Sequence, residues 1–166
     1  MTTRASTTYS FTFLINRPLS ETEECNLAET LNERILGTGV GNLPAVNAYW
    51  DSPSASTALA AACKALTELA SGVYPTQVTL DLVTVPLIAE RFRITSEAVR
   101  KWVKTPGKEF PQPFEVLGDS TKLRDWGSVA DWAKTHRPSD AAENVSYPTR
   151  QDITLFNAEL VKATRN

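Results

Sequence analysis

The sequence predicts an α+β fold with two small cores in 166 residues, and three observations carry that reading. Up to residue 80, stretches of two-residue apolar alternation are interleaved with stretches of helical spacing. From Leu82 to His136, two short capped helices are followed by a proline-rich approach, a hairpin and a closing helix. The charge is also uneven, with one basic run in a chain whose net charge is −2.

Tyr9 to Asn16 (YSFTFLIN) is aromatic and β-branched, and Arg17 and Pro18 end it, so it reads as the first strand. Ser20 then caps a helix with Glu21, Glu23 and Glu24 in its first turn; these carboxylates suit a helix N-terminus better than a cation site. Leu27, Leu31 and Ile35 extend the helix at its own spacing until Gly37. The run Gly37 to Pro44 (GTGVGNLP) follows a helix and does not join a strand to a helix, so it reads as a helix C-cap and turn, not as a phosphate loop. An extra short strand near Gly39 fits the same residues.

Ala45 to Asp51 reads as a strand with Val46, Ala48 and Trp50 on one face, and Asp51 or Ser52 before Pro53 leads into the next helix. Residues 54–70 hold seven alanines with Leu59, Leu66 and Leu69, small side chains that let a helix approach a sheet closely, and Gly72 stops it. Gln77 to Val83 alternates again. The order β-α-β-α-β predicts a two-layer α/β sandwich over residues 1–80, similar to a ferredoxin-like half.

Thr84, with Pro86 in the first turn, starts a helix that buries Ile88, Ala89 and Phe92; Arg93 and Ile94 form the turn. Thr95 caps a second helix with Val99 and Val103 inward, Trp102 flanking the core, and Ser96, Glu97, Arg100, Lys101 and Lys104 outward. Two short helices around such a turn have helix-turn-helix geometry, which projects one convex helix from a small scaffold at the width of a B-form major groove. Beyond Pro106 and Gly107, the run Phe110 to Phe114 leads into a hairpin whose tip region carries Lys122 and Arg124 beside Asp119 and Asp125. Ser128 caps a closing helix with Val129, Trp132 and Ala133 inward, and Trp102, Trp126 and Trp132 read as core side chains.

Residues 1–80 carry four bases against seven acids, for −3, whereas residues 81–137 carry ten bases against eight acids, for +2. Over 91–108, Arg91, Arg93, Arg100, Lys101, Lys104 and Lys108 face only Glu97, a local excess of +5. Arginine can donate two hydrogen bonds to guanine, and lysines neutralise phosphates without reading sequence.

The run LVTVPLIAERFRITSEAVRKWVKTPGKEFPQPFEVLGDSTKLRDWGSVADWAKTH, about a third of the chain, resembles winged helix-turn-helix proteins of the MerR, excisionase and AlpA-like kind. The likeness lies in the IAERF-RITSEAVRKW pair, the FPQPF approach and the closing helix with Trp126, Val129 and Trp132. It implies sequence-specific binding of double-stranded DNA by a bacterial or phage-type transcriptional regulator or excisionase-like factor. Helix 95–104 would lie in the major groove, and wing 115–126 on the backbone. The DNA-binding residues so assigned are Ser96, Arg100, Lys101, Lys104, Lys122 and Arg124, and Lys108 joins them as a phosphate-neutralising cation of the basic run. The chain departs from metal-sensing MerR regulators in lacking a long dimer helix and cysteine sites.

Pro138 to Thr149 reads as a linker, and the last helix carries Ile153, Phe156, Leu160 and Ala163 or Thr164 on one stripe, to be buried on its own chain or on a second subunit. Residues 1–80, 81–137 and 138–166 are thus three expected parts: a domain for oligomerisation or partner contact, a DNA-binding domain, and a linker with a helix. The expected partners are double-stranded DNA and a second copy of the chain, with a protein partner reached through the first or last part. A rival reading is an antitoxin-like or anti-repressor adaptor that docks through its helix-turn-helix.

Cys25 and Cys63 lack metal-ligand spacing and read as reduced, partly buried thiols. With one histidine, His136, and no nucleophile motif, neither an enzyme nor a cofactor is expected. The polar stretch Met1–Thr8 and the absence of an apolar run of roughly 18 to 20 residues point to a cytoplasmic protein with no membrane span.

Overall fold

The computed structural model describes residues 5–140 and 144–165, without the side chain of Thr164. The start of the Met1–Thr8 stretch, part of the 138–149 linker and the Thr164 position of the last stripe lie outside the described residues. The chain is mixed α+β, with six helices and two small antiparallel sheets among the described residues. It divides into two compact units: Met1–Thr79 with Val145–Asn166, and Leu80–Asn144. No described helix is long and apolar enough to cross a membrane.

The first unit is built on β1 (Thr7–Ile15), β2 (Ile35–Val40), β3 (Leu43–Ser52) and β4 (Pro75–Val78), in the order β2-β3-β1-β4. Every pairing is antiparallel. The register Phe13↔Val46 and Phe11↔Ala48 puts Phe11, Phe13 and Ile15 on one face with Val46 and Ala48, all buried. That face receives α1 (Glu21–Thr30), α2 (Ala55–Leu69) and α6 (Arg150–Thr164), through Leu27, through Ala58, Leu59, Ala62 and Leu66, and through Ile153. Phe156 of α6 lies 5.9 Å from the Phe13 ring and Ile153 is buried, so the start of the expected stripe packs on its own chain, whereas Leu160 is half-buried and Ala163 is exposed.

Several local expectations are corrected here. Helix α1 begins at Ser20 with a full capping box to Glu23 but ends at Thr30, because Asn32 and Glu33 take left-handed conformations (φ 51 and 62) that turn the chain. Ile35 is buried from a strand, and Gly37 to Pro44 is not a C-cap and turn but parts of β2 and β3 joined by a hairpin. Its two-residue turn has Gly41 at φ 59 in the first central position, the pattern of a II′ turn, which a side chain would strain. Ser54, rather than Asp51 or Ser52, caps α2. The alternating run Gln77 to Val83 is two strands in different sheets, split at the boundary between Thr79 and Leu80.

The second unit contains β5 (Leu82–Val83), α3 (Val85–Phe92), α4 (Ser96–Lys104), β6 (Glu115–Leu117), β7 (Thr121–Asp125) and α5 (Trp126–His136), with sheet order β5-β7-β6. Thr84 and Thr95 cap α3 and α4 by accepting from the N–H of Leu87 and of Ala98, and Arg93 (φ 56) makes the left-handed turn between the helices. Helix α5 starts two residues before its expected cap: the Asp125 carboxylate, not Ser128, accepts from the Ser128 N–H at 3.2 Å. On α4 the inward pair is Val99 with Trp102, whereas Val103 is 37% exposed, because the helix turns its 99/102 stripe to the aromatic core. That core is a chain of rings, Phe92 to Trp102 at 5.4 Å, Trp102 to Trp132 at 5.6 Å and Trp132 to Phe110 at 4.9 Å.

Candidate functional site

A cleft of about 400 Å³ opens in the second unit between the first turn of α3, the outer face of α4 and strand β7. It exists because β5 pairs with β7: Val83 opposite Arg124 holds the start of α3 against the hairpin. Arg100 and Lys104, one helical turn apart on α4, share a face by their spacing. Lys122 and Arg124 share a face of β7 by theirs. Four cations therefore line one cleft, together with Thr84, Ser120 and Thr121.

Arg124 is unlike the others. It does not belong to the hairpin tip, as its neighbour Lys122 suggests in the sequence; it sits toward the far end of β7, between β5 and the Phe110 segment, and is only 4% exposed. Its Nε donates to the Pro111 carbonyl at 2.9 Å, and the guanidinium lies 5.3 Å from the Phe110 ring centre. Burial pushes its pKa down from the usual arginine value, the sign of a desolvated cation. Among the described residues no carboxylate pairs with it.

Compensation elsewhere in the basic run is uneven. Arg91 is held by Asp81 in two hydrogen bonds of 2.6 and 3.0 Å and stacks on Trp126, which ties it to the scaffold. Arg100 makes only a loose, exposed contact with Glu97 at 3.7 Å. Lys101, Lys104 and Lys122 form no ion pair among the described residues, and all three are exposed.

The structure thus gathers Arg100, Lys104, Lys122 and Arg124 at the cleft and leaves three expected residues outside its lining. Lys101 is exposed on α4, Ser96 lies half-buried at its start, and Lys108 sits in the following loop, where its carbonyl accepts from the Trp132 indole N–H at 3.3 Å. Thr84, Val103, Ser120 and Thr121 were not expected at a site. Nothing local in the sequence marks them, since they meet only through the β5–β7 pairing. Chemically, the cleft offers buried and exposed cations next to hydroxyls, a lining for phosphate-like anions.

The two cysteines are free: Cys25 is exposed, and burial raises the pKa of the half-buried Cys63 thiol. Comparison with protein-family models, with curated proteins and with solved structures finds no match to this chain.

Proposed function

We propose that the protein is a sequence-specific double-stranded DNA-binding factor, of the transcriptional regulator or excisionase type found in bacteria and phages. In this reading the second unit is a winged helix-turn-helix with α3 and α4 as its helix pair and β6 and β7 as its wing. The first unit, two interleaved β-α-β segments in one antiparallel sheet, is a ferredoxin-like domain. Helix α4 enters the major groove, Arg100 reads base edges, and Lys104 and Lys122 meet phosphates. Two copies bind paired half-sites, because one module of this size makes few contacts.

The observation that carries the reading is the cleft itself, where a buried arginine without a carboxylate partner stands beside three more cations. A desolvated cation held by a carbonyl and a ring face, with no carboxylate to neutralise it, favours an anion at its open side. A polymer of phosphates with readable base edges suits a helix face bearing Arg100 and Lys101 next to that cleft.

A second reading, docking on a protein, is favoured by the hairpin alone. Val116 and Leu117 are 50% and 51% exposed, with Glu115 and Asp119 beside them, and that surface suits a protein partner better than a phosphate backbone.

The test is fluorescence anisotropy of the full chain against a pool of random duplexes at low and near-physiological salt, with the Arg100→Ala/Lys101→Ala double variant in parallel. Binding that weakens steeply with salt and is lost in the variant supports the proposal. A folded wild type that binds no duplex at low salt overturns it in favour of the protein partner.

A further inference from the structure

The cleft of the second unit is built differently at its floor and at its mouth. Arg124 is the one buried residue of its lining and so forms the floor. Its guanidinium spends only Nε on the protein, donating to the Pro111 carbonyl at 2.9 Å. Nη1 and Nη2 make no hydrogen bond among the described residues, yet neither is sealed from solvent, and the open volume beside Arg124 is the cleft. Arg100, Lys104 and Lys122 stand around the mouth at exposed positions. No carboxylate is among the lining residues, and Glu97, which touches Arg100 at 3.7 Å, lies outside them. Four cations therefore face one volume with no opposite charge in its walls.

Hydroxyls and apolar surface complete the lining. The Thr84 hydroxyl accepts from the Leu87 N–H at 3.4 Å and keeps its own proton to donate, and the Ser120 and Thr121 hydroxyls are unbonded among the described residues. Val85, Pro86 and Val103 add the apolar part, with Val103 turned out of the aromatic core. The volume of about 400 Å³ is that of a pocket for a small molecule.

We propose that this cleft is a binding site for a small phosphomonoester, with its phosphate on Arg124 and its organic group, apolar or ring-bearing, on Val103 and Pro86. The two free Nη groups match two phosphate oxygens in a fork, and the third oxygen falls to the lysines and hydroxyls at the mouth. A phosphomonoester brings three free oxygens and a charge of about −1.5 to −2 near neutral pH. A carboxylate, or a phosphate esterified on both sides, brings two oxygens and a single charge, a poorer answer to four uncompensated cations. Esterified on one side only, the monoester also tapers toward the end that must pass Lys104 and Lys122 to reach the floor. The ligand site stands without the DNA-binding reading. One consequence rests on that reading: the bound phosphate neutralises Lys104 and Lys122, so ligand and duplex compete.

The test is isothermal titration calorimetry of the full chain with phenyl phosphate, with its diester methyl phenyl phosphate, and with inorganic phosphate, in a buffer free of other oxyanions. The expected result is one phenyl phosphate per chain with a Kd on the order of 100 μM, and binding about tenfold weaker or less for the other two probes. Arg124→Met and the Lys104→Gln/Lys122→Gln double variant are each expected to weaken phenyl phosphate by about tenfold or more. Lys64→Gln, which removes a charge from an exposed position of the first unit, leaves binding alone. Circular dichroism checks the fold of Arg124→Met, and the double variant, which alters only exposed side chains, decides the matter if that fold is lost. Absence of saturable binding up to about 10 mM, equal affinity for the diester or for inorganic phosphate, or binding that a folded Arg124→Met or the double variant leaves unchanged overturns the proposal. No duplex enters this measurement, so its failure is separate from failure of duplex binding.

Discussion

In the first unit the core is mostly aliphatic and the sheet does the organising: Leu59 and Leu66 of α2 close over a four-stranded ladder from which Val46, Ala48, Phe11 and Phe13 project. In the second the sheet is small and rings do the organising, with Trp102, Trp126 and Trp132 linked to Phe92 and Phe110. Cations lie against that aromatic core, Arg91 at 4.7 Å from the Trp126 ring, Arg124 at 5.3 Å from Phe110 and Arg137 at 5.5 Å from Trp102. The contrast shows how a unit of about 65 residues can keep a basic surface without a large apolar interior. Aromatic rings supply much buried area per residue, and their faces accept the arginine stems and heads that the surface needs.

If the two cores are independent, one substitution in each should unfold only its own unit. Trp132→Ala and Phe13→Ala are each expected to cost about 3 to 5 kcal/mol. Denaturant unfolding followed by tryptophan fluorescence and by far-ultraviolet circular dichroism should then separate into two transitions, with a different one moved in each variant. A single shared transition in both would break the comparison.

Arg124 belongs to both sides of the contrast, as a packed residue and as a cleft cation. Arg124→Met keeps most of the volume and removes the charge, so the second unit should lose no more than about 1 to 3 kcal/mol, the cost of an unpaired Pro111 carbonyl, while duplex binding at low salt weakens by about tenfold. Loss of stability with unchanged binding would make Arg124 part of the core alone.

At the β4 edge of the first unit, both backbone groups of Val78 are held by one side-chain amide, that of Asn157. Asn157→Ala removes both bonds to Val78, and a loss of about 1 to 3 kcal/mol is expected, with faster hydrogen exchange at the Val78 N–H. Unchanged exchange would show that the edge is closed by packing rather than by the amide.

The smallest effect concerns the start of α1. Hydrogen bonds from Arg17 at 2.8 and 3.0 Å, and then from the Ser20 backbone, hold the Glu23 carboxyl at about 2, below its usual 4.5. A carboxyl with a lowered folded-state pKa stabilises above its unfolded value and stops doing so as pH falls through the folded one. Thermal melts of Glu23→Gln should therefore fall below wild type at neutral pH and converge with it as pH drops from 4.5 toward 2. The exposed setting keeps this difference small.

Much of this was legible in the residues themselves. Caps at Ser20, Thr84 and Thr95 act within three residues of chain, so sequence order alone expresses them. The hairpin after β2 was also written there, as Gly41 and Asn42 between Val40 and Leu43, but the glycine-rich run around it imitates a helix end equally well. What decided between the two was Ile35, whose place in the core is reached from a strand and not from a helix.

By itself the sequence determined the α+β class, the capped helices, the tryptophans of the second core and the basic run, because each follows from local backbone preference or from periodicity. Only the tertiary structure decided that Gln77 to Val83 serves two sheets, that Arg124 is buried, that α6 closes the β4 edge and that the β2 edge stays bare. Alternation shows that a segment is extended and which residues share a face, but strand partners are chosen by contacts far apart in sequence, which no local pattern records.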